Sequence, residues 1–225
     1  DMSVQVGNKT FDSAEDFPSS VPIFPLSGAL LLPKGQMPLN IFEPRYLAMI
    51  DAAMAGDRLI GMIQPALGEV EAESDALCER GCLGRIVSWS ESGDGRYLVT
   101  LMGVTRFQLT QELTTMTPYR QAQISILPFL GDMDGELEEQ EVDRDVLLAT
   151  FRDYLDANDM EADWDSINQA STESLVNALS MMSPYGPAEK QALLEAPDLK
   201  TRAETLIAIT EMELARGDDG TSPLQ

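Results

Sequence analysis

Residues 21–46 decide the fold, and they read VPIFPLSGALLLPKGQMPLNIFEPRY. Three prolines, Pro25, Pro33 and Pro38, divide this stretch into short apolar runs, because proline fixes φ and lacks the N–H that a strand interior needs. Gly35 follows the second proline and allows a turn that a β-carbon would obstruct. The pattern therefore predicts short strands separated by turns.

The end of this stretch predicts a strand followed by a helix. Leu39 and Ile41 alternate with Asn40, which is typical of a half-buried strand. Pro44 suits the first turn of a helix, where its missing N–H would have no partner anyway. The apolar side chains that follow fall on one helical face: Tyr46, Leu47, Ile50, Ala53 and Met54.

Outward from this stretch, residues 21–131 consist of short apolar runs between glycines and prolines. Candidate strands cover residues 21–26, 37–42, 59–64, 82–91, 97–102, 106–112 and 119–127. The sequence SGDG at 92–95 predicts a hairpin between two of them, since Gly and Asp tolerate positive φ. Many short strands with one early helix favour a compact, partly open β-barrel.

The pattern becomes helical after Gly131. An acidic run covers residues 132–145, and apolar residues recur there and beyond at helical spacing: Val142, Val146, Leu147, Phe151, Tyr154 and Leu155. Further helices are predicted over 173–182, 187–194 and 199–216. The predicted organisation is a flexible or loosely docked lead-in (1–20), the barrel (21–131), a helical bundle (132–216) and a disordered tail (217–225). Barrel and bundle should share an apolar interface.

The charge balance limits the partners of the chain. Its 225 residues include 38 acids and 15 bases, a formal net charge of −23. This charge would repel phosphate backbones and anionic lipid surfaces, so neither nucleic acid nor membrane is an expected partner. No run reaches the roughly 18 apolar residues of a membrane span, and the N-terminus does not resemble a secretory signal. Cys78 and Cys82 are expected to be reduced thiols in a cytoplasmic protein.

The sequence lacks the residues of common catalytic sites. It has no histidine, which excludes Ser-His-Asp and Cys-His systems and the usual zinc sites. No lysine completes the motif G-x-x-x-x-G-K-[ST], so there is no P-loop. Calcium loops starting at Asp132 or Asp159 would need glycine where Leu137 and Trp164 stand. No carboxylate pair stands out for glycosidic chemistry, and we predict a non-catalytic chain with no metal and no cofactor.

One family resemblance emerges from these motifs. Residues 38–46 (PLNIFEPRY), with Pro33 and Gly35, resemble the opening signature of the substrate-binding domain of Lon proteases. Further matching segments follow in order at Gly61, 81–86 (GCLGRI), 103–107 (GVTRF) and 187–202. The resemblance covers about residues 20–215 and implies an α+β fold, a PUA-like β pseudobarrel followed by a C-terminal helical bundle. In full-length Lon proteases this region precedes an AAA+ ATPase and a Ser-Lys protease domain. This chain has no P-loop, so we expect a stand-alone relative without those activities.

The signature residues also have structural roles that require no ligand. Glu43 stands before the predicted helix, where an acid is favoured by the helix dipole. We expect Arg45 to pair with a barrel carboxylate and Tyr46 to pack its ring on the sheet. We therefore interpret the following residues as structural: Pro25, Leu26, Pro33, Gly35, Pro38, Phe42, Glu43, Pro44, Arg45 and Tyr46.

The resemblance implies binding of other proteins. The leading hypothesis is a recognition or adaptor module that binds exposed segments of proteins, with a protease or chaperone as a further partner and self-association as an alternative. Twelve methionines suit an adaptable surface, although most of them are expected to fill the core. Two other hypotheses stay open. One is an RNA-binding PUA-like module, which the net charge disfavours, and the other is a small-molecule sensor.

Two segments are candidates for the binding surface because they are too apolar for ordinary loops. The first comprises Leu30, Leu31, Leu32 and Met37, and the second comprises Met181, Met182 and Tyr185. We expect them to line a groove between barrel and bundle, with surrounding acids keeping the protein soluble. The alternative is that both segments are buried at the interface between the two domains.

Overall fold

The computed structural model describes residues 3–68, 75–133 and 141–219. Its strands are β1 (Val4–Val6), β2 (Lys9–Phe11), β3 (Ser20–Pro25), β4 (Gln36–Ile41), β5 (Leu59–Pro65), β6 (Leu77–Glu91), β7 (Tyr97–Leu113) and β8 (Gln121–Ser125). Its α-helices are α1 (Pro44–Ala55), α2 (Arg144–Ala157), α3 (Trp164–Gln169), α4 (Thr172–Met182), α5 (Pro187–Glu195) and α6 (Leu199–Asp219). Within these described ranges, none of the helices combines the length and apolar character that crossing a membrane requires.

Five strands close a barrel in the order β7-β6-β5-β3-β8, and β8 pairs back with β7. The pair β3 and β5 is parallel, and the other pairs are antiparallel. Strand β7 is long enough to hold two partners, since residues 97–102 pair with β4 and residues 108–113 pair with β8. The fold is therefore the expected α+β barrel followed by helices. The ring is closed, which corrects the predicted partly open barrel, and β4 is appended to it.

Strand β7 joins two strands that the sequence predicted separately. Residues 97–102 and 106–112 are continuous because Gly103 and Thr105 stay paired with β6. A β-carbon added at Gly103 would lie 2.0 Å from the backbone oxygen of Leu32, so only glycine lets the preceding loop run against the strand. The predicted hairpin at 92–95 is present, with Gly95 at a φ of 82°.

Residues 4–11 form a hairpin within the segment that the sequence predicted to be a flexible or loosely docked lead-in. Strands β1 and β2 pair antiparallel around Gly7, which has a φ of 61°. Val4, Val6 and Phe11 are buried against the barrel core. The sequence analysis missed this hairpin because three-residue strands are too short to show a periodic pattern.

The bundle helices match the predicted periodicity, with one addition. Helices α2, α4, α5 and α6 lie where they were predicted, and α5 starts with Gly186 as its cap and Pro187 in its first turn. Helix α3 was missed because it has only six residues. Helix α6 continues to Asp219, beyond the predicted end. Residues 134–140 of the acidic run and 220–225 of the predicted tail lie outside the described residues.

Barrel and bundle share one apolar core. A cluster of buried residues contains Ile60 and Leu101 from the barrel together with Leu147, Leu193 and Leu206 from the helices. Each large side chain buried there contributes roughly 1.5–3 kcal/mol to folding. The helices therefore depend on the barrel for stability, as the predicted shared interface requires.

Candidate protein-binding site

The first predicted binding segment is part of the core. Leu30, Leu31 and Leu32 are at most 4% exposed and pack in the cluster that joins barrel and bundle. Met37 is half-buried against the same cluster. The hypothesis that the three leucines contact a partner is wrong. The loop after β3 turns inward and buries them in the core beneath the helices.

The turn within the first predicted segment packs directly on α4, which ends in the second segment, and leaves no open groove between them. The amide nitrogen of Asn177 in α4 donates to the backbone oxygen of Pro33 at 3.1 Å, and Lys34 pairs with Glu173 at 2.7 Å. A β-carbon added at Gly35 would lie 2.2 Å from the sulfur of Met181. The structure therefore corrects the expected open groove between barrel and bundle, since glycine lets the turn and α4 pack closely there.

A buried ionic network holds the bundle on the barrel. Arg106 of β7 binds both carboxylate oxygens of Asp132, with Nη2 at 2.8 Å and Nε at 2.9 Å. Its Nη1 donates to the backbone oxygens of Leu194 and Ala196 at 2.9 and 2.6 Å. These carbonyls lie at the C-terminal end of α5, where the helix itself supplies no donors and the dipole favours a cation.

Arg202 of α6 reaches the same end of α5. Its Nε donates to the backbone oxygen of Leu193 at 2.9 Å, and its Nη1 donates to the side-chain oxygen of Asn177 at 2.8 Å. Burial lowers the pKa of Arg202 to about 10, so the group remains a cation at neutral pH. We call Arg106, Asp132, Arg202 and the α5 carbonyls the arginine latch. The sequence motifs contain both arginines, but nothing in their spacing shows that they meet.

The exposed part of the second segment lies at the end of the helical bundle. Met182, the last residue of α4, is 79% exposed, and Tyr185 is half-buried. Pro184 and Tyr185 line an open groove of about 570 Å³ together with the C-terminal ends of α2 and α6. We call it the bundle groove, and its lining includes Tyr154, Asn158, Pro184, Tyr185, Glu213 and Leu214.

Tyr185 is fixed in the bundle groove by α6. Its hydroxyl lies 2.7 Å from the hydroxyl of Thr210, which in turn donates to the backbone oxygen of Leu206 at 2.7 Å. Because Thr210 has a single hydroxyl hydrogen, Tyr185 is the donor in their pair. Burial raises the pKa of Tyr185, the hydrogen bond with Thr210 opposes this, and the nearby Tyr154 and Glu213 raise the pKa further, so the hydroxyl is neutral at physiological pH.

Several signature residues pack around the start of α1. The ring of Tyr46 stacks on Phe24 of β3 with 4.3 Å between centroids. The guanidinium of Arg45 lies 4.6 Å from the centroid of the Tyr46 ring, and its Nε binds Glu43 at 2.9 Å. The expectation of a barrel carboxylate is therefore corrected, because the ion-pair partner of Arg45 is Glu43, which stands immediately before the helix.

A second exposed apolar surface was missed by the sequence analysis. Leu98 is 49% exposed on the outer face of β7, and a shallow groove of about 370 Å³ runs beside it over β4 and β6. Phe42, which follows β4 directly and was interpreted above as structural, is 59% exposed, and the Arg96 guanidinium lies 5.5 Å from its ring centroid. We call Phe42 and Leu98 with Pro38 the strand patch. The available signal was the alternation in β7, because Val99 and Leu101 point inward and Leu98 must then point outward.

Neither cysteine is an activated thiol. Burial raises the pKa of both Cys82 and the less deeply buried Cys78, so both thiols stay protonated at neutral pH. Within residues 3–68, 75–133 and 141–219, no group of three or more metal-binding side chains comes together.

Comparison with known families gives one match over most of the chain. The ATP-dependent protease La (LON) substrate-binding domain matches residues 20–211. The Lon protease of Parabacteroides distasonis is 30% identical over 210 residues, which cover 90% of this chain and 25% of that protein. Lon protease 2 of Myxococcus xanthus is 25% identical over 205 residues, 87% of this chain and 24% of that protein. The chain thus spans about a quarter of the length of these curated relatives.

Solved structures share the fold. The Lon N-terminal domain protein from Xanthomonas campestris is 20% identical with a TM-score of 0.60, and the match covers 85% of this chain and 98% of that chain. The N-terminal domain of the Mycobacterium avium complex Lon protease is 18% identical with a TM-score of 0.63 and the same coverage. Both matches include barrel and helices.

Proposed function

The chain belongs to the LON substrate-binding domain family, and we propose from this that it is a protein-binding module for exposed segments of other proteins. The family match over residues 20–211 is the observation that carries the proposal. The relatives named Lon protease are about four times as long. We propose that the 225 residues themselves perform neither ATP hydrolysis nor peptide cleavage, and the missing P-loop motif supports the first point.

The proposed binding surface consists of the bundle groove and of Met182, which precedes the lining residue Pro184 by two positions in the sequence. Met182 offers a flexible apolar side chain at the surface, and thioethers adapt to many partner shapes. Tyr154 and Tyr185 add aromatic area with few rotatable bonds, which lowers the entropy lost on binding. Since the barrel–bundle contact is filled, this end of the bundle is where the second predicted segment remains accessible.

Capture of an unfolded client tests the proposal. Reduced and alkylated α-lactalbumin should bind the purified protein in a biolayer assay, while the native, disulfide-bonded form should not. Met182→Ser should weaken capture about fivefold, because it removes apolar area from a contact without touching the core. Met116→Ser is the matched control, since Met116 is fully exposed on the barrel. Equal binding of folded and unfolded client, or equal loss in the two variants, would refute the proposal.

We also propose that neither nucleic acid nor a membrane surface is a partner of this protein. The net charge of −23 supports this, because counterion release from phosphates needs clustered cations. The two neutral thiols suit a reducing compartment, and we place the protein in the cytoplasm. Retention of labelled RNA by the protein at 150 mM salt would contradict the proposal that nucleic acid is not a partner.

A further inference from the structure

The bundle groove combines aromatic rings with a carboxylate. Tyr154 comes from α2, Tyr185 from the connection between α4 and α5, and Glu213 from α6. Leu214 adds an apolar wall, and the amide nitrogen of Asn158 is occupied by the backbone oxygen of Tyr154 at 2.8 Å. The groove therefore offers ring faces, tyrosine oxygens and one carboxylate to whatever enters it.

The surroundings of the groove are strongly acidic. Residues 153–165, which contain the α2 part of the lining and the following connection, include six acids and no base. Asp156 and Asp159 flank the lining residues Ala157 and Asn158 directly in sequence and are exposed. On the α6 side, Arg216 is the base next to the groove, and it pairs with Glu213 at 3.0 Å. The field inside the groove is therefore attractive to cations.

We propose that the bundle groove selects partner segments in which a lysine or arginine accompanies apolar residues, an inference that rests on the protein-binding function proposed above. The aliphatic stem of the basic side chain lies against Leu214 and the tyrosine rings, and its charged end reaches Glu213. The apolar neighbours in the segment contact Met182 and Pro184. The groove volume of about 570 Å³ exceeds that of one side chain, so neighbouring residues of the partner fit as well.

The ion pair between Glu213 and Arg216 leaves Glu213 available to a partner cation. Both side chains are well exposed, 43% and 70% respectively, and such pairs one turn apart on a helix are weak. A partner cation seated between the rings and Glu213 replaces Arg216 at little cost. Arg216 therefore competes with the partner cation for Glu213. Removing the charge of Arg216 should strengthen binding of the partner, whereas removing the charge of Glu213 should weaken it.

Matched peptides test the proposal on the full chain. Three labelled nonapeptides of one sequence, with central lysine, acetyl-lysine or glutamate between leucines and serines, are titrated by fluorescence anisotropy at 50 and 300 mM salt. The lysine peptide should bind about fivefold more tightly than the acetyl-lysine peptide, from one cation–π contact and one exposed ion pair. Glu213→Gln should remove most of this preference, and Arg216→Gln should increase it.

General attraction to an acidic protein requires a separate control. Glu91→Gln changes the net charge by the same amount at an exposed position on β6, and it should leave the lysine preference unchanged. Equal affinity for lysine and acetyl-lysine peptides, or equal effects of Glu213→Gln and Glu91→Gln, overturns the inference. Continued capture of unfolded α-lactalbumin in that case leaves the protein-binding function intact, whereas loss of binding to every peptide and to the unfolded client refutes both.

Discussion

Replacing Arg106 with methionine should destabilise the fold far more than replacing an exposed arginine. The Arg106 side chain is 5% exposed and that of Asp132 is 10% exposed. Methionine fills much of the same volume but provides no donor. The substitution therefore leaves a buried carboxylate without its cation and two carbonyls of α5, from Leu194 and Ala196, without their side-chain donor.

The size of the effect follows from these lost partners. Breaking a buried ion pair from one side costs roughly 3–5 kcal/mol, and each buried acceptor left without a donor adds about 1 kcal/mol. Costs of neighbouring groups are not fully additive, so we expect the free energy of unfolding to fall by about 4–6 kcal/mol. Domains are stable by roughly 5–15 kcal/mol in all, so this loss would remove a large fraction of the total.

Urea unfolding followed by circular dichroism at pH 7 measures this loss. Arg120→Met is the control, because the pair between Arg120 and Glu112 is partly exposed and should contribute about 1 kcal/mol or less. Adding Asp132→Asn to Arg106→Met should restore part of the stability, since it removes the unpaired charge and keeps an acceptor for the backbone N–H of residue 106. A loss below about 1.5 kcal/mol for Arg106→Met, or no recovery in the double variant, would refute this account of the latch.

Three further predictions follow from particular contacts. Gly81→Ala should lower the thermal midpoint sharply, because its β-carbon would lie 2.2 Å from a backbone oxygen of β5, whereas Gly93→Ala, which meets open space, should be nearly neutral. Iodoacetamide at pH 8 should modify Cys78 slowly and Cys82 only after unfolding, as mass spectrometry of the native and urea-treated protein would reveal, because burial raises both pKa values. Asp198→Ala should cost about 1 kcal/mol, since its carboxylate caps α6 and accepts from the backbone nitrogen of Thr201 at 2.7 Å. Hydrogen bonds from Thr201 lower the pKa of Asp198, so this stabilisation is present above the usual carboxyl pKa of 3.8 and is lost as the pH falls through the lowered value. A gap between wild type and Asp198→Ala that persists unchanged at pH 2 would contradict that assignment.

Local features of the sequence were sufficient for most of the secondary structure. Helix α5 was predicted within one residue because Gly186 and Pro187 mark its start regardless of the rest of the chain. The hairpin between β6 and β7 was predicted because its turn requires a residue with positive φ, which Gly95 supplies. Signals of this kind act over a few residues, so they can be recognised without knowing the tertiary structure.

Exposure could not be predicted in the same way. The run from Leu30 to Leu32 and the residue Met182 are all apolar, yet the former is buried and the latter is at the surface. Which of them is covered depends on how the helices pack on the barrel, and that packing depends on contacts between residues 88 to 144 positions apart. The arginine latch is such a contact, and neither Arg106 nor Arg202 differs in sequence from an arginine on the surface.

The latch also determines which surface of the module remains available to a partner. Arg106 holds the C-terminal end of α5 against the barrel, and Arg202 of α6 ties that end of α5 to α4. Asn177 and Gly35 bring α4 onto the same interface. Opening that interface to admit a peptide would break buried ionic contacts, which is far more costly than the gain from one bound segment. The bundle groove needs no such opening, because the ends of α2 and α6 leave it accessible in the folded state. Binding there should therefore proceed without separation of barrel and bundle, and the arginine latch should affect stability rather than affinity.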